Sequence, residues 1–311
     1  MHKDEIPVTE ELVRKLVDTQ FPHFARLPLR KLGASGSSNI QFRLGNDLLV
    51  RLPRLLGDGA SIKKEERWTP IIGSHLPVAV PEYVESGEPA LGYSERWSIV
   101  RWLDGEHPLV YDPKEPSAIQ RSQLTSELAR ELASVVLAFR SIDVPQEAAA
   151  DEQLRNYRGR ALVSHDKQMR HNIERCKSID GLTLDLDAVL SVWGDAMDLP
   201  GASEVESKNW YHGDLVAENL LLTNGQLSAV LDFGGLGVGD PTIDLLGAWE
   251  LLDSPAREVF RVTVGVNDVE WLRGRAWALA VAVMTFPYYW KSMPGRINSR
   301  LAMARSILET V

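Results

Sequence analysis

The chain has 311 residues, of which 44% are hydrophobic and 25% charged, and 34 Lys and Arg against 43 Asp and Glu give a formal net charge of −9. This composition is that of an ordinary globular protein, which excludes disordered and collagen-like classes. The acidic balance also argues against a nucleic-acid binder that neutralises phosphates, because such a protein normally shows a basic excess or a basic face.

The first hundred residues predict a small antiparallel sheet with one helix inserted. Thr9 is a suitable N-cap for an opening helix that carries Val13 and Leu16 on one face. Short runs bounded by turn residues predict five strands, at 29–32, 39–44, 48–52, 82–86 and 97–102. The inserted helix is expected from Ser61 to about Leu76, between the third and fourth strands.

The pattern becomes helical from Gln123 onward. Further helices are expected at 151–175, 184–198, 242–252, 255–263, 268–290 and 297–309. They are interrupted by a strand at 209–211 and a hairpin of 220–222 with 227–231, which turns on Asn224-Gly225. This order predicts an α+β, two-lobed protein, with a first lobe of residues 1–103 and a helical lobe of residues 104–311.

The strongest local signal is the run from Tyr211 to Leu221, which reads YHGDLVAENLL. Asp214 and Asn219 stand five positions apart on a loop bounded by strands, and Asp232-Phe233-Gly234 follows at the end of the hairpin. Two acids and an amide on neighbouring loop ends suit Mg²⁺, which takes one or two protein carboxylates and keeps places for water and phosphate oxygens. Protein kinases have the same spacing in their catalytic loop and Asp-Phe-Gly motif.

These residues resemble the aminoglycoside phosphotransferase family, whose members are small-molecule kinases with a protein-kinase-like fold. The resemblance lies in HGDLVAENLL and LSAVLDFGGLGVGDPTIDL. It extends upstream to the Gly-rich turn at 33–38, the strand LLVRLP, the helix with KKEERW and the run WSIVRWLDGE, and so covers roughly residues 30–250. It implies a small antiparallel β N-lobe with one helix and a larger, mainly helical C-lobe.

By this resemblance Asp214 is the catalytic residue, which orients the acceptor hydroxyl and accepts its proton. Asn219 and Asp232 are the metal ligands, holding magnesium ions that bridge the nucleotide phosphates. His212 is expected to hold the loop in place. Asp240 and Asp244 are expected to anchor loops and cap helices.

The nucleotide is expected to contact the first lobe at the Gly-rich turn and at the linker strand. The turn would present N–H and hydroxyl groups to phosphates through Gly33, Ser35, Gly36, Ser37 and Ser38. The purine ring would bind backbone groups of Arg101, Trp102 and Leu103. Backbone recognition leaves little trace in a sequence, so ATP and GTP both remain open as donors.

Arg51 departs from the kinase pattern, which has Lys on the third strand. An Arg can still fork to phosphate oxygens and to a carboxylate, with a bulkier, planar geometry. The resemblance assigns Glu65 as its partner on the helix, with Glu66 as the fallback, and a solvated Arg51 is the alternative.

The function implied is transfer of the γ-phosphate of ATP or GTP to a hydroxyl of a small molecule, most of all an aminoglycoside-like antibiotic. A kinase for another metabolite (choline, homoserine, a macrolide or similar) and a catalytically silent nucleotide-binding protein are the alternatives. The stretch from Asp180 to Ala256 holds 14 carboxylates and one cation, Lys208. It is interpreted as a solvated surface, a metal site or a pocket for a cationic acceptor.

The compartment and partners are inferred from what the sequence lacks. Cys176 is the only cysteine, which excludes an intramolecular disulfide and a Cys-based zinc site. The N-terminal segment has no apolar core of signal-peptide length, and no apolar run of about 18 residues occurs. We therefore expect a cytoplasmic monomer or dimer that binds neither membrane nor nucleic acid.

Overall fold

The computed structural model describes residues 4–33, 38–112, 118–155, 157–205 and 208–309. Contacts within the chain divide it into two compact units, Met1–Ser74 with Ala79–Asp104, and His75–Val78 with Gly105–Val311. The first unit is a β-sheet with two helices, and the second is mainly helical with two small β-ribbons. The predicted α+β class is confirmed.

The first unit contains the five strands β1 (Leu29–Lys31), β2 (Asn39–Leu44), β3 (Leu48–Pro53), β4 (Tyr83–Gly87) and β5 (Trp97–Arg101). They form one antiparallel sheet in the order β1-β2-β3-β5-β4. The turn between β2 and β3 begins at Gly45, whose φ of 61° lies in the left-handed region that favours glycine. All five predicted strands are confirmed, with ends that differ by at most one residue.

Two helices complete the first unit. Helix α1 (Glu10–Gln20) begins after Thr9, whose hydroxyl accepts a hydrogen bond from the Leu12 N–H at 3.2 Å. Its apolar face shares one buried core with the sheet, to which Leu16 and Trp97 both belong. Helix α2 (Gly59–Gly73) follows β3 and buries Glu65. The predicted inserted helix is therefore confirmed, although it begins two residues earlier than expected.

The second unit has two short antiparallel ribbons. Strand β6 (Asn209–Tyr211) pairs with β9 (Gly237–Gly239), and β7 (Leu220–Thr223) pairs with β8 (Gln226–Val230). The β7–β8 hairpin turns on Asn224 and Gly225, with φ of 54° and 81°, as the Asn-Gly pair predicts. Strand β9 escaped prediction, because three residues that include two glycines carry no strand signal.

Eight helices are described in the second unit, mostly where the periodicity predicted them. They are α3 (Ala118–Ser141), α4 (Gln146–Ala150), α5 (Asp166–Cys176), α6 (Leu186–Met197), α7 (Gly247–Leu251), α8 (Ser254–Val264), α9 (Asp268–Tyr289) and α10 (Pro294–Leu308). Within the described ranges, none of the helices has both the length and the apolar character needed to cross a lipid bilayer.

The continuous helix predicted over 151–175 is wrong in its first part. Short 3₁₀ turns occupy much of 152–165, and regular helix begins only with α5. Gly159 gives the physical reason. A Cβ built on it would come within 2.1 Å of the Tyr211 ring, and its carbonyl oxygen accepts the Asp240 N–H at 2.9 Å. The chain is therefore held against β6 and β9 by a tertiary hydrogen bond in place of a helical one.

Candidate active site

The loop that joins β6 to β7 carries the residues singled out in the sequence. Its turn depends on Gly213, which has a φ of 83° and whose added Cβ would lie 2.9 Å from the Gly235 carbonyl oxygen. Glycine alone satisfies both conditions at low cost. The Asp214 N–H donates to His212 Nδ1 at 3.2 Å. Backbone geometry thus fixes the point at which the Asp214 side chain leaves the loop.

The Asp214 carboxylate is bound from two sides. Asn219 Nδ2 donates to Oδ2 of Asp214 at 3.1 Å and to its carbonyl oxygen at 2.9 Å. Arg158 forms an ion pair with Oδ1, and its Nη1 donates to the Gly213 carbonyl oxygen at 2.7 Å. Desolvation favours the neutral acid, but the Arg158 and Arg300 cations hold the pKa of Asp214 below its ordinary value. The carboxylate is therefore ionised and fixed in orientation at neutral pH.

Asp244 holds the backbone of the same loop. Its Oδ2 accepts the His212 N–H and its Oδ1 accepts the Gly213 N–H, both at 2.7 Å. The side chain is buried, and burial raises the pKa of Asp244 to about 7. Asp244 is thus a loop anchor, as expected from the sequence. Asp240 caps the following 3₁₀ turn by accepting the Thr242 N–H at 3.0 Å.

His212 is fully buried beneath the loop. Its Nε2 lies 3.0 Å from the Leu231 carbonyl oxygen, and its ring meets the rings of Phe139 and Phe233 edge to face. Burial lowers the pKa of His212 to about 4, so the imidazole is neutral at physiological pH. Nε2–H then donates to Leu231, while Nδ1 accepts from Asp214. These contacts fit the predicted role of His212 in holding the loop.

Asn219 and Asp232 lie at adjoining ends of the β7–β8 hairpin. The Leu231 N–H donates to the Asn219 carbonyl oxygen at 2.8 Å, and Asp232 follows directly. Asp232 adopts left-handed backbone, with φ 58° and ψ 72°, and its Oδ1 accepts the Gly234 N–H at 3.3 Å. Left-handed backbone is uncommon for a residue other than glycine, costs about 1–3 kcal/mol and clusters at functional sites.

The donor set of this hairpin end fits Mg²⁺. Asn219 and Asp232 offer an amide and a carboxylate oxygen, which are the hard ligands that this ion prefers. Across the part of the chain that the structure describes, no three His, Cys, Asp or Glu side chains converge on a metal position. Two protein ligands are sufficient for Mg²⁺ in a phosphoryl-transfer site, because water and substrate phosphates supply the others.

The C-terminal helix α10 reaches this loop through two arginines. Arg300 is buried and pairs with Glu250 of α7 and, at 2.9 Å, with Glu218. Arg296 pairs with Glu218 at 2.7 Å, and Glu250 accepts the Ala217 N–H at 2.7 Å. Against its burial, Glu250 and Glu218 raise the pKa of Arg300, which therefore keeps its charge. Helix α10 is thereby tied to the segment that precedes Asn219.

Sequence reasoning missed the residues that support the loop from a distance. Arg158 stands 56 residues before Asp214, in a stretch that was predicted to be helical, and Arg300 stands 50 residues after Glu250. No short motif connects positions so far apart. Only the fold brings them together.

In the first unit, Arg51 and Glu65 form the pair that the resemblance implies. Arg51 Nη1 donates to Glu65 Oε2 at 2.9 Å, and the Tyr83 hydroxyl donates to the same oxygen at 2.8 Å. Arg51 and Glu65 are only 4% and 1% exposed, which rules out a solvated Arg51. Burial and the Glu65 charge raise the pKa of Tyr83, so the phenol stays protonated and donates.

The other residues expected to contact the nucleotide belong to the Gly-rich turn and to the linker strand. Gly33 and Ser38 are exposed, whereas Ser35, Gly36 and Ser37 lie outside the described residues. The Arg101 N–H donates to the Glu82 carbonyl oxygen at 2.9 Å and the Trp102 N–H to that of Asp47 at 2.8 Å. These two N–H groups are thus committed within the unit.

Comparison with known proteins identifies related sequences and folds. The family model described as APH, phosphotransferase enzyme family, matches residues 30–277. No curated protein sequence matches the chain.

Solved structures of three phosphotransferases share the fold over almost their whole length. Aminoglycoside 2'-phosphotransferase-IIIa in its GDP complex has a TM-score of 0.72 and 18% identity, covering 97% of this chain and 99% of that one. The streptomycin-ATP-APH(2")-IIa ternary complex has a TM-score of 0.62 and 17% identity, covering 98% of each chain. Macrolide 2'-phosphotransferase MphH from Brachybacterium faecium, as apoenzyme, has a TM-score of 0.59 and 20% identity, covering 94% and 98%. At these identities the likeness establishes the protein-kinase-like fold.

Proposed function

Because the chain belongs to the phosphotransferase enzyme family, we propose that it transfers the γ-phosphate of ATP or GTP to a hydroxyl group of a small molecule. The observation that carries the proposal is the Asp214 carboxylate, held ionised between Arg158 and Asn219. Phosphoryl transfer asks a protein chiefly to position reactants and to neutralise charge. A fixed carboxylate beside two oxygen ligands for a metal meets that requirement.

Asp214 is the proposed catalytic residue. Its carboxylate accepts a hydrogen bond from the acceptor hydroxyl, which aims the hydroxyl oxygen at the γ-phosphorus. It takes the proton as the new P–O bond forms and the bond from the γ-phosphorus to the β–γ bridging oxygen breaks, so that the nucleoside diphosphate leaves. A lowered pKa suits a group that must be ionised before the hydroxyl arrives. Because the transition state is largely dissociative, orientation matters more than basicity.

Asn219 and Asp232 are the proposed ligands of Mg²⁺. The ion, when bound, neutralises charge on the phosphate oxygens. The chain's own contribution is to hold the two oxygen donors at one hairpin end, through the Leu231 to Asn219 hydrogen bond of 2.8 Å and the left-handed backbone at Asp232.

The first unit is the proposed binding site of the nucleotide. Arg51, oriented by Glu65, would contact phosphate oxygens in the place of the usual Lys. The Gly-rich turn and the linker strand are proposed to contribute through Gly33, Ser35, Gly36, Ser37, Ser38, Arg101, Trp102 and Leu103. The solved relatives include complexes with GDP and with ATP, so the donor is proposed as either nucleotide.

The acceptor is proposed to be an aminoglycoside-like antibiotic. Aminoglycosides carry several ammonium groups, and the negative charge of this chain falls in residues 101–311, where 30 acidic residues exceed 21 basic ones. Such an excess attracts polycations over distances of about a Debye length. The aminoglycoside and macrolide phosphotransferases that share the fold support a hydroxyl-bearing antibiotic in general. A nucleotide donor further suits a cytoplasmic enzyme.

The test is transfer of γ-phosphate to a panel of hydroxyl compounds, with ATP and GTP and with Mg²⁺ present or chelated. Aminoglycosides, macrolides, choline and homoserine form the panel, and mass spectrometry detects the phosphorylated product. We expect Asp214→Ala to lower kcat by about 100-fold or more, the scale of a lost acid or base. Asp198→Ala, which removes an exposed carboxylate, is the control. Magnesium-dependent nucleotide binding without transfer to any compound or to water would instead identify a silent binding protein.

A further inference from the structure

Arg158 contacts Asp214 and the backbone immediately before it. Its Nη1 donates to the Gly213 carbonyl oxygen at 2.7 Å and also meets Oδ1 of Asp214. One guanidinium nitrogen therefore ties the side chain of Asp214 to the carbonyl oxygen of the preceding residue, Gly213. Asn219 makes the equivalent pair of contacts on the other side, to Oδ2 and to the Asp214 carbonyl oxygen. The two donors together leave the carboxylate little rotational freedom.

The segment that carries Arg158 is closely packed. Gly159, the next residue, packs so closely on Tyr211 that a Cβ would come within 2.1 Å of the ring, and a Cβ on Gly239 would come within 2.2 Å of the Gly159 carbonyl oxygen. That same oxygen accepts the Asp240 N–H at 2.9 Å. The segment of Arg158 is therefore packed against the β6–β9 ribbon and hydrogen-bonded to the residue that follows it.

Other basic side chains do not duplicate this contact. Arg300 also contributes a positive potential at Asp214, but its guanidinium pairs with Glu250 and Glu218. Arg296 pairs with Glu218 through Nε and Nη2, at 3.1 and 2.7 Å. Among the basic side chains whose hydrogen bonds the structure describes, only Arg158 donates to the Asp214 carboxylate.

We propose that Arg158 is a positioning residue for phosphoryl transfer, which holds the Asp214 carboxylate in the orientation that receives the acceptor hydroxyl. The proposal rests on the proposed function of Asp214. Restraint of the carboxylate from both sides, by Arg158 and by Asn219, matters because a reacting group displaced by about 1 Å can lose about 100-fold in rate. Arg158 acts through Asp214, so its loss changes the rate of transfer and leaves nucleotide binding intact.

The experiment compares Arg158→Met, Arg158→Gln and Arg158→Lys with the parent. Arg160→Met is the matched control, because Arg160 is exposed and lies two residues away on the same segment. We measure kcat and KM for nucleotide with the best acceptor, and the slow transfer of phosphate to water without acceptor. Thermal unfolding identifies the variants that are folded. Crystal structures of the parent and a folded neutral variant give the rotamer of Asp214.

The expected result is a kcat about 100-fold lower in the neutral variants, with KM for nucleotide close to that of the parent. Arg158→Lys should retain more of the rate than either neutral variant, and Arg160→Met should match the parent. The Asp214 side chain should rotate away from its parent position in the neutral variant. The comparison with the parent uses whichever neutral variant is folded.

Two outcomes overturn the proposal. One is a folded neutral variant with the parent kcat, and the other is an unchanged Asp214 rotamer in its crystal structure. If the parent itself phosphorylates no acceptor and does not hydrolyse nucleotide, the proposed function fails. The rotamer comparison then still decides whether Arg158 positions Asp214.

Discussion

Arg51, Glu65 and Tyr83 form a closed group of side chains in the first unit. Glu65 Oε2 receives both the Arg51 guanidinium and the Tyr83 hydroxyl, and Arg51 Nη1 lies 3.1 Å from the same hydroxyl. Removing one member of a buried ion pair leaves the other charge without compensation, which costs more than the pair contributes. Arg51 therefore has a structural role beside any contact with phosphate.

We expect Arg51→Met to lower the free energy of unfolding by about 3–5 kcal/mol, because the Glu65 charge stays buried without its partner. Tyr83→Phe should cost only about 1 kcal/mol, since it removes hydrogen bonds and leaves the charges paired. Urea denaturation of the two variants and of Arg30→Met, an exposed arginine of β1, measures the difference. Equal losses of unfolding free energy in Arg51→Met and Tyr83→Phe would contradict the inference that the buried Glu65 charge depends on Arg51 for compensation.

Individual partners were predictable from the sequence only where a motif carried them. The pairing of Arg51 with Glu65, rather than with Glu66, followed from the family resemblance. Tyr83 was not foreseen, because it reaches the pair through the order of the sheet, in which β5 lies between β3 and β4. Arg158 was not predicted either, because it meets Asp214 through a long-range contact that no local pattern encodes.

Helix α10 contacts the catalytic loop through two arginines. Arg296 and Arg300 are four residues apart and so lie on one face of the helix, and both bind Glu218. Arg300 extends the contact to Glu250 of α7, which holds the Ala217 N–H. The position of the segment before Asn219 therefore depends on how α10 packs.

We expect Glu250→Gln to lower the free energy of unfolding by about 3 kcal/mol, because Arg300 keeps its buried charge and loses its closest partner. The same change should lower kcat more than it weakens nucleotide binding, since the Ala217 N–H loses a charged acceptor. Glu258→Gln, on an exposed face of α8, should leave both quantities unchanged. Denaturation measures the free energy of unfolding of these two variants, and steady-state kinetics measures their kcat. Unaltered kinetics in Glu250→Gln would contradict a contribution of this ion-pair network to the catalytic loop.

Elements were predicted where local patterns were strong. The hairpin followed from Asn224-Gly225, and α1 followed from Thr9 and its apolar face. The 3₁₀ turns near Gly159 were missed, because tertiary hydrogen bonding and a close approach to Tyr211 override the local helical signal there. Strand β9 was missed because its pairing with β6 supplies the regularity that its two glycines do not.

The response of the whole molecule to pH contains two opposing contributions. Burial lowers the pKa of His212 from 6.5 to about 4, so its stabilising contribution is present above pH 6.5 and is lost as the pH falls towards 4. Burial raises the pKa of Asp244 from 3.8 to about 7, so its contribution is present below pH 3.8 and is lost as the pH rises towards 7. The two slopes oppose one another over the range they share.

We expect the stability advantage of the parent over Asp244→Asn to be largest near pH 4 and to shrink as the pH rises to about 7. The neutral acid of Asp244 is the form that burial favours, and it is lost over that range. Urea denaturation at a series of pH values measures the difference. The control is Asp195→Asn, which removes an exposed carboxylate and should show no such trend. A stability advantage over Asp244→Asn that grows with pH would contradict a raised pKa of Asp244.

At the scale of the molecule, the sequence was sufficient for the α+β class, for the order of the β-rich and helical parts and for the family. Composition excluded other classes, and the spacing of Asp214, Asn219 and Asp232 carried the resemblance. The side chains that surround the catalytic loop could not be predicted from composition or motif spacing. They come from the 3₁₀ turn at Tyr157–Gly159, from α7 and from α10, and their meeting depends on the complete fold.

The left-handed backbone at Asp232 also bears on how this protein would respond to selection in the laboratory. Its φ of 58° is a conformation that glycine adopts without strain. A library selected for heat resistance alone would therefore enrich glycine at residue 232 and discard a proposed metal ligand. A library selected for phosphate transfer would keep the aspartate and its strain. The two selections would therefore favour different residues at this position. Asp232→Gly is a single substitution that we expect to raise stability and to abolish activity.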